Sequence, residues 1–93
     1  MDKVQIGEHA LPVTVPVDLD DRLVAATGFG AAEHIGMLGP RSTPGYIARL
    51  LRPMLADDAL APIELAEMIA GADVLAVVFQ VVDLLALAAA PKE

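Results

Sequence analysis

The longest apolar run of the chain covers residues 72–90, and its strongly polar side chains are Asp73, Gln80 and Asp83. At 100° per residue these three lie along one narrow seam of a helix, opposite a face of valines and leucines. The valines would also suit a buried strand, but the length of the run and its alanine-rich end favour a helix. The pattern predicts a long final helix.

The faces of this helix separate predicted core from predicted surface. We expect its buried face to carry Val74, Val78, Val81, Val82 and Leu85. Val77, Leu84 and Leu87 lie beside the polar seam and are predicted to be apolar surface for another chain, while Leu75 and Phe79 lie on the other flank. A helix so apolar all round normally lies inside a large protein, in a membrane or against another chain.

Two short alternating segments near the N-terminus predict a β-hairpin, with strands at 4–6 and 13–15 joined through 7–10. Pro12 and Pro16 cannot donate to a ladder, so we expect the second strand to lie at an edge or to pair through only a few bonds. Because an isolated hairpin is marginally stable in water, we expect this one to pack on the helices or to join another subunit's sheet.

Helix start and stop signals follow the hairpin. Asp18 is predicted to cap a first helix and Gly28 to end it. The inner face of this helix is predicted to carry Leu19, Leu23 and Ala26. The glycine-rich residues 28–39 suit a short helical turn inside a long connection.

Thr43 and Pro44 are predicted to be the N-cap and first residue of a second helix. Its apolar residues recur at three- and four-residue spacing: Ile47, Leu50, Leu51, Met54 and Leu55. Pro53 falls inside this pattern and lacks an amide, so the helix should kink or break near Arg52.

A third helix is predicted to start at Pro62 and end at Gly71, and Asp73 to cap the final one. The third helix is expected to bury Leu65, Met68 and Ile69, and residues 57–58 are expected to form a loop. The predicted fold class is therefore mainly α with a short N-terminal β-hairpin (α+β) and about four helices. We expect one domain over 1–93: the hairpin at 1–17, the helical part at 18–90 and a tail at 91–93.

The composition narrows the classes of partner. Thirteen acids against six bases give a formal charge of −7, which argues against binding to a nucleic-acid backbone. The chain has no cysteine, so no disulfide or thiolate metal site is predicted. Asp83 and Gln80 make residues 72–90 a poor membrane span, and the N-terminus has no signal-peptide core. We therefore expect a cytoplasmic protein.

No motif in the chain predicts a reaction, so we expect no enzyme activity, cofactor or metal. His9 and His34 each follow a glutamate but lack metal-ligand spacing; His9 is expected in a turn and His34 partly exposed. The glycines of 28–33 and 36–43 lack the complete fingerprints of nucleotide loops. The aspartates at 18–21 and 57–58 lack the spacing of a calcium loop.

Arg49 and Arg52 fall together on the outer face of the second predicted helix, whereas seven of the thirteen acids follow Pro53. This polarised charge would let subunits of a homo-oligomer meet head to tail, so both arginines are predicted to bind a partner. A solvated helix face is the alternative.

The order of these features resembles the tail assembly chaperones of long-tailed phages and gene transfer agents. The segment VQIGEHALPVTVP precedes a capped helix, a helix YIARLLRPMLADD and the acidic-then-apolar stretch PIELAEMIAGADVLAVVFQVVDLL. The resemblance implies a bacteriophage virion-assembly protein without catalytic residues, which coats the helical tape measure protein in the host cytoplasm. Two other hypotheses remain: a small acidic connector subunit of an oligomeric assembly, and an acidic inhibitor of a basic target.

Overall fold

The computed structural model describes residues 3–55 and 61–89. The strands are β1 (Lys3–Ile6) and β2 (His9–Pro12), and the helices are α1 (Leu19–Thr27), α2 (Ala31–Met37), α3 (Pro44–Leu51), a 3₁₀ turn (Arg52–Met54), α4 (Pro62–Ala70) and α5 (Val74–Ala89). The fold class is confirmed: a mainly helical α+β domain with an N-terminal antiparallel hairpin. The predicted loop at 57–58 and tail at 91–93 lie outside the described residues.

The hairpin turns over two residues rather than four. Ile6 pairs directly with His9, and Gly7 between them has φ 61° while Glu8 keeps a negative φ. Gly7 can adopt this φ because it has no Cβ, and the combination is that of a type II′ turn. The tight turn brings the second strand forward to His9–Pro12, so the predicted strand at 13–15 is wrong.

Residues 13 and 14 instead join the hairpin to the end of the 3₁₀ turn. Val13 forms an isolated antiparallel bridge with Leu55, and the Thr14 amide donates to the Met54 carbonyl at 2.8 Å. Val13 is buried at this bridge. The apolar and polar alternation of 13–15 therefore reflects pairing with a distant segment and not a second strand of the hairpin.

A hydrogen bond to the Asp20 carboxylate links α1 to α2. Asp20 accepts a hydrogen bond from the Ala31 amide at 2.8 Å, so a side chain of α1 satisfies a free amide at the start of α2. Asp18 sits at the N-cap of α1 but makes no cap hydrogen bond; it pairs with Arg22 at 3.0 Å. The short helical turn predicted inside the connection 28–39 is the seven-residue helix α2, and Ala26 is exposed rather than on the inner face.

The predicted caps, the prolines at helix starts and the helix break of the later part of the chain are confirmed. Thr43 accepts from the Tyr46 amide with Pro44 as first helical residue, and α3 gives way to the 3₁₀ turn before Pro53. Pro62 begins α4, and Asp73 accepts from the Ala76 amide at the start of α5. The five apolar residues predicted at helical spacing in 47–55 are all buried.

The aliphatic core lies between the hairpin, the earlier helices and one face of α5. β1 contributes Val4 and Ile6, and both β1 and α2 pack along α5. Gln80 of α5 holds the free edge of β1: the Gln5 amide donates to Oε1 at 2.7 Å, and Nε2 donates to the Gln5 carbonyl at 2.8 Å. The Gln80 side chain thus takes the place of a neighbouring strand residue, because Gln5 points both backbone groups away from β2.

Replacing Gln80 by Glu is expected to loosen the hairpin. The second carboxylate oxygen cannot donate and faces the Gln5 carbonyl, so we expect a loss of about 1–2 kcal/mol in the free energy of unfolding. Urea titration measures this loss. Asp83→Asn, at an exposed position one turn further along, is the control. Equal urea midpoints for Gln80→Glu and the wild type would contradict the proposed strand-like role.

Candidate protein-binding surfaces

The outer face of α5 carries a row of exposed side chains at four-residue intervals, which we name the α5 ridge: Leu75, Phe79, Asp83 and Leu87. Phe79 is 62% exposed and Leu87 57% exposed. At 1.5 Å rise per residue, the ridge is about 18 Å long. An exposed row of large apolar residues with one central carboxylate is thus carried on a helix whose other face lies in the core.

Two of the three residues predicted to form apolar surface on α5 are in the core. Val77 is 1% exposed and Leu84 is fully buried, so the prediction that they form exposed apolar surface is wrong. Leu87 is exposed as predicted. The buried residues of α5 are Val77, Val78, Val81, Leu84 and Leu85, and the predicted core members Val74 and Val82 are half-buried.

The error arises from the predicted orientation of Gln80. The prediction placed Gln80 in a solvent-facing seam with Asp73 and Asp83, but its amide is bonded to the backbone of Gln5. The hairpin therefore covers the side of α5 that holds Gln80, and the buried face is turned by roughly 40° at 100° per residue toward Val77 and Leu84. The same rotation exposes Leu75 and Phe79.

A ridge of this spacing is suited to a helical partner. Rows of side chains four residues apart pack into the grooves of another helix in the commonest class of helix packing. Near the end of the ridge, Leu87 borders a depression of about 160 Å³ whose other side includes Val15 and Val17. Val17 is itself largely exposed, so the apolar surface continues beyond the helix.

Arg49 and Arg52, both predicted to bind a partner, border one groove between α3 and α4. The groove has a volume of about 570 Å³. Arg49 is exposed and Arg52 half-buried, while Ile63 on the opposite side is 68% exposed. The predicted pairing of the arginines on one face is confirmed, and the sequence did not indicate that an apolar residue of α4 would lie across from them.

His34, expected to be partly exposed, is 1% exposed and connects three helices. Its Nε2 lies 2.8 Å from Thr27 Oγ1 and its Nδ1 lies 2.7 Å from the Tyr46 hydroxyl. The Thr27 hydroxyl donates to the Leu23 carbonyl at 2.8 Å, so its oxygen accepts from Nε2. We therefore assign a neutral imidazole protonated on Nε2.

Burial shifts the pKa values of His34 and Tyr46 in this cluster. Desolvation lowers the pKa of His34, partly opposed by the Phe29 backbone and the charge of Glu33, and burial raises the pKa of Tyr46. Both ring nitrogens of His34 already have protein partners. The cluster is a structural joint of α1, α2 and α3, and His9 lies far from it in sequence on the exposed end of the hairpin.

Neither a metal centre nor a membrane span is found in the described part of the chain. Residues 3–55 and 61–89 contain no group of three His, Cys, Asp or Glu side chains that could hold an ion. Within the same ranges, each helix is too short or too polar to cross a bilayer. No protein-family model matches the chain, and neither does any curated protein or solved structure.

Proposed function

We propose that the chain is a non-catalytic chaperone that holds a helical client against the α5 ridge, and that the client is a tape measure protein. The observation that supports this proposal is the exposure of Leu75, Phe79 and Leu87 along one ridge of a helix that is otherwise part of the core. The resemblance to tail assembly chaperones supplies the client. The protein would act in the bacterial cytoplasm before the tail tube is built.

The physical properties of the ridge support a helical and aggregation-prone client. Transfer of apolar surface from water contributes about 25 cal/mol per Å², and Phe and Leu side chains offer the largest apolar areas on this face. One subunit covers only about 18 Å of a partner helix, so a long client requires several subunits. Each contact is then weak enough to be displaced during assembly.

Co-expression with a tape measure fragment tests the function. We expect the fragment to be insoluble alone and to elute with the chain as a soluble complex when both are made together. The gene's neighbourhood gives a second check, since a tape measure gene should lie just downstream. A fragment that remains insoluble and forms no complex would exclude the chaperone function.

The connector hypothesis uses the same ridge as a permanent contact between copies. It differs in one measurement: without any client, a connector forms a stable oligomer that Phe79→Asp dissociates, whereas a chaperone keeps the α5 ridge free until it binds its client. The inhibitor hypothesis requires carboxylates gathered on one face. The described carboxylates come from five parts of the chain, namely the hairpin turn and the regions of α1, α2, α4 and α5.

A further inference from the structure

One charged side chain interrupts the α5 ridge. Asp83 lies between Phe79 and Leu87 in the row and is exposed. Within residues 3–55 and 61–89, no hydrogen bond or ion pair holds its carboxylate. None of the sixteen residues of α5 is basic. A carboxylate without a partner on its own helix therefore lies inside the apolar row to which the proposed function assigns the client.

A second copy of the chain fits this ridge in shape. Rows of side chains at four-residue spacing pack into the grooves between such rows on another helix, so the ridge is complementary to itself. Its large apolar side chains, Leu75, Phe79 and Leu87, are between 41% and 62% exposed, and the pairing of two ridges would remove them from water. An apolar surface of this kind promotes self-association unless a further feature opposes it. For a chaperone, such pairing would cover the surface that the client needs.

The position of Asp83 opposes every symmetric antiparallel pairing of two ridges that uses Phe79. In such a pair, the numbers of opposed residues have a constant sum. Whenever Phe79 faces a ridge residue of the second copy, Asp83 faces one of the following residues of that copy: Gly71, Leu75, Phe79 or Asp83. None of these is a cation. Each carboxylate thus loses water without gaining a partner, or meets the other carboxylate, and an ionised group buried in this way is strongly unfavourable.

We infer, on the basis of the proposed function, that Asp83 keeps the α5 ridges of two copies apart and so leaves the ridge free for its client. A client is not bound by the symmetry of a pair. It can cross the ridge at Leu75 and Phe79 and leave Asp83 in water at the edge of the contact. The formal charge of −7 on each copy adds a general repulsion, but salt screens it, and it does not depend on where the charges lie.

Replacing Asp83 by leucine tests this role. Asp83 is exposed and leucine is the better helix former, so the variant should fold. Sedimentation velocity should show a monomeric wild type and dimers of Asp83→Leu, with a dimer dissociation constant at least about a hundredfold lower, about tenfold for each of the two aspartates. Glu67→Leu is the matched control, because it removes the same charge and adds the same side chain at an exposed position of α4. It lies four residues after the exposed Ile63 and should nevertheless stay monomeric.

The double variant Phe79→Asp with Asp83→Leu locates the contact and should be monomeric again. An Asp83→Leu variant that is folded by circular dichroism and as monomeric as Glu67→Leu would overturn the role of Asp83, while leaving client binding, and therefore the chaperone function, untouched. Dimers of Asp83→Leu that persist in the double variant would place the contact elsewhere and overturn this role too. A wild type that is already a stable dimer through Phe79 would contradict both this role and the chaperone function.

Discussion

Leu84→Asp is expected to unfold the domain, whereas Leu87→Asp on the same helix leaves it folded. Leu84 is fully buried, and an unpaired carboxylate there has no described polar partner. Such a change costs more than about 4 kcal/mol, a large part of the 5–15 kcal/mol that stabilises a typical domain. Leu87 is 57% exposed, so its aspartate costs only about 0.3–1 kcal/mol through the nearby helix end.

Far-UV circular dichroism and thermal melting distinguish these two variants. A folded Leu84→Asp with a melting temperature close to that of the wild type would contradict the assignment of this side of α5 to the core. An unfolded Leu87→Asp would contradict the assignment of the α5 ridge to the surface. Val77→Asp is expected to behave like Leu84→Asp, because Val77 is also buried.

His34→Leu is expected to destabilise the domain and to remove part of its pH dependence. The substitution leaves the hydroxyls of Thr27 and Tyr46 without their imidazole partner, which costs about 2–3 kcal/mol at neutral pH. In the wild type, burial lowers the pKa of His34 below 6.5, so the unfolded chain binds more protons than the folded chain as the pH falls through 6.5. The free energy of unfolding therefore decreases from pH 7 to pH 5.5.

Urea unfolding at pH 7 and pH 5.5 measures this difference. Free carboxyl groups titrate mostly at lower pH, so this interval is suited to a histidine. His34→Leu is the comparison: its free energy of unfolding should change less between the two pH values than that of the wild type. A wild type that is equally stable at both pH values would contradict the desolvation of His34.

The elements that sequence reasoning placed correctly depend on local chemistry. The Thr43 and Asp73 caps, the left-handed Gly28 and the break before Pro53 each involve atoms within a few residues of one another. The spacing of apolar residues in α3 also identified its buried face, because α3 has a strong contrast between its two sides. These local features determined the helix boundaries and the fold class.

The misplaced features depend on partners distant in sequence. Gln80 appears solvent-facing in the helical pattern, and its bond to Gln5, 75 residues away, turned the buried face of α5. His34 is buried because Tyr46 of another helix meets its ring. The sequence contained one indication of the contact between α5 and β1, a glutamine among valines on a long helix. A side-chain amide can both donate to and accept from the backbone at the free edge of a strand.

The most direct test of the proposed function is the affinity of the purified chain for a tape measure fragment, compared between Phe79→Asp and Val24→Asp. Both positions carry exposed apolar residues, at 62% and 47%, but only Phe79 belongs to the α5 ridge. Titration calorimetry should show binding at least about tenfold weaker for Phe79→Asp and unchanged for Val24→Asp. Wild-type affinity in the Phe79→Asp variant would contradict the claim that the α5 ridge holds the client.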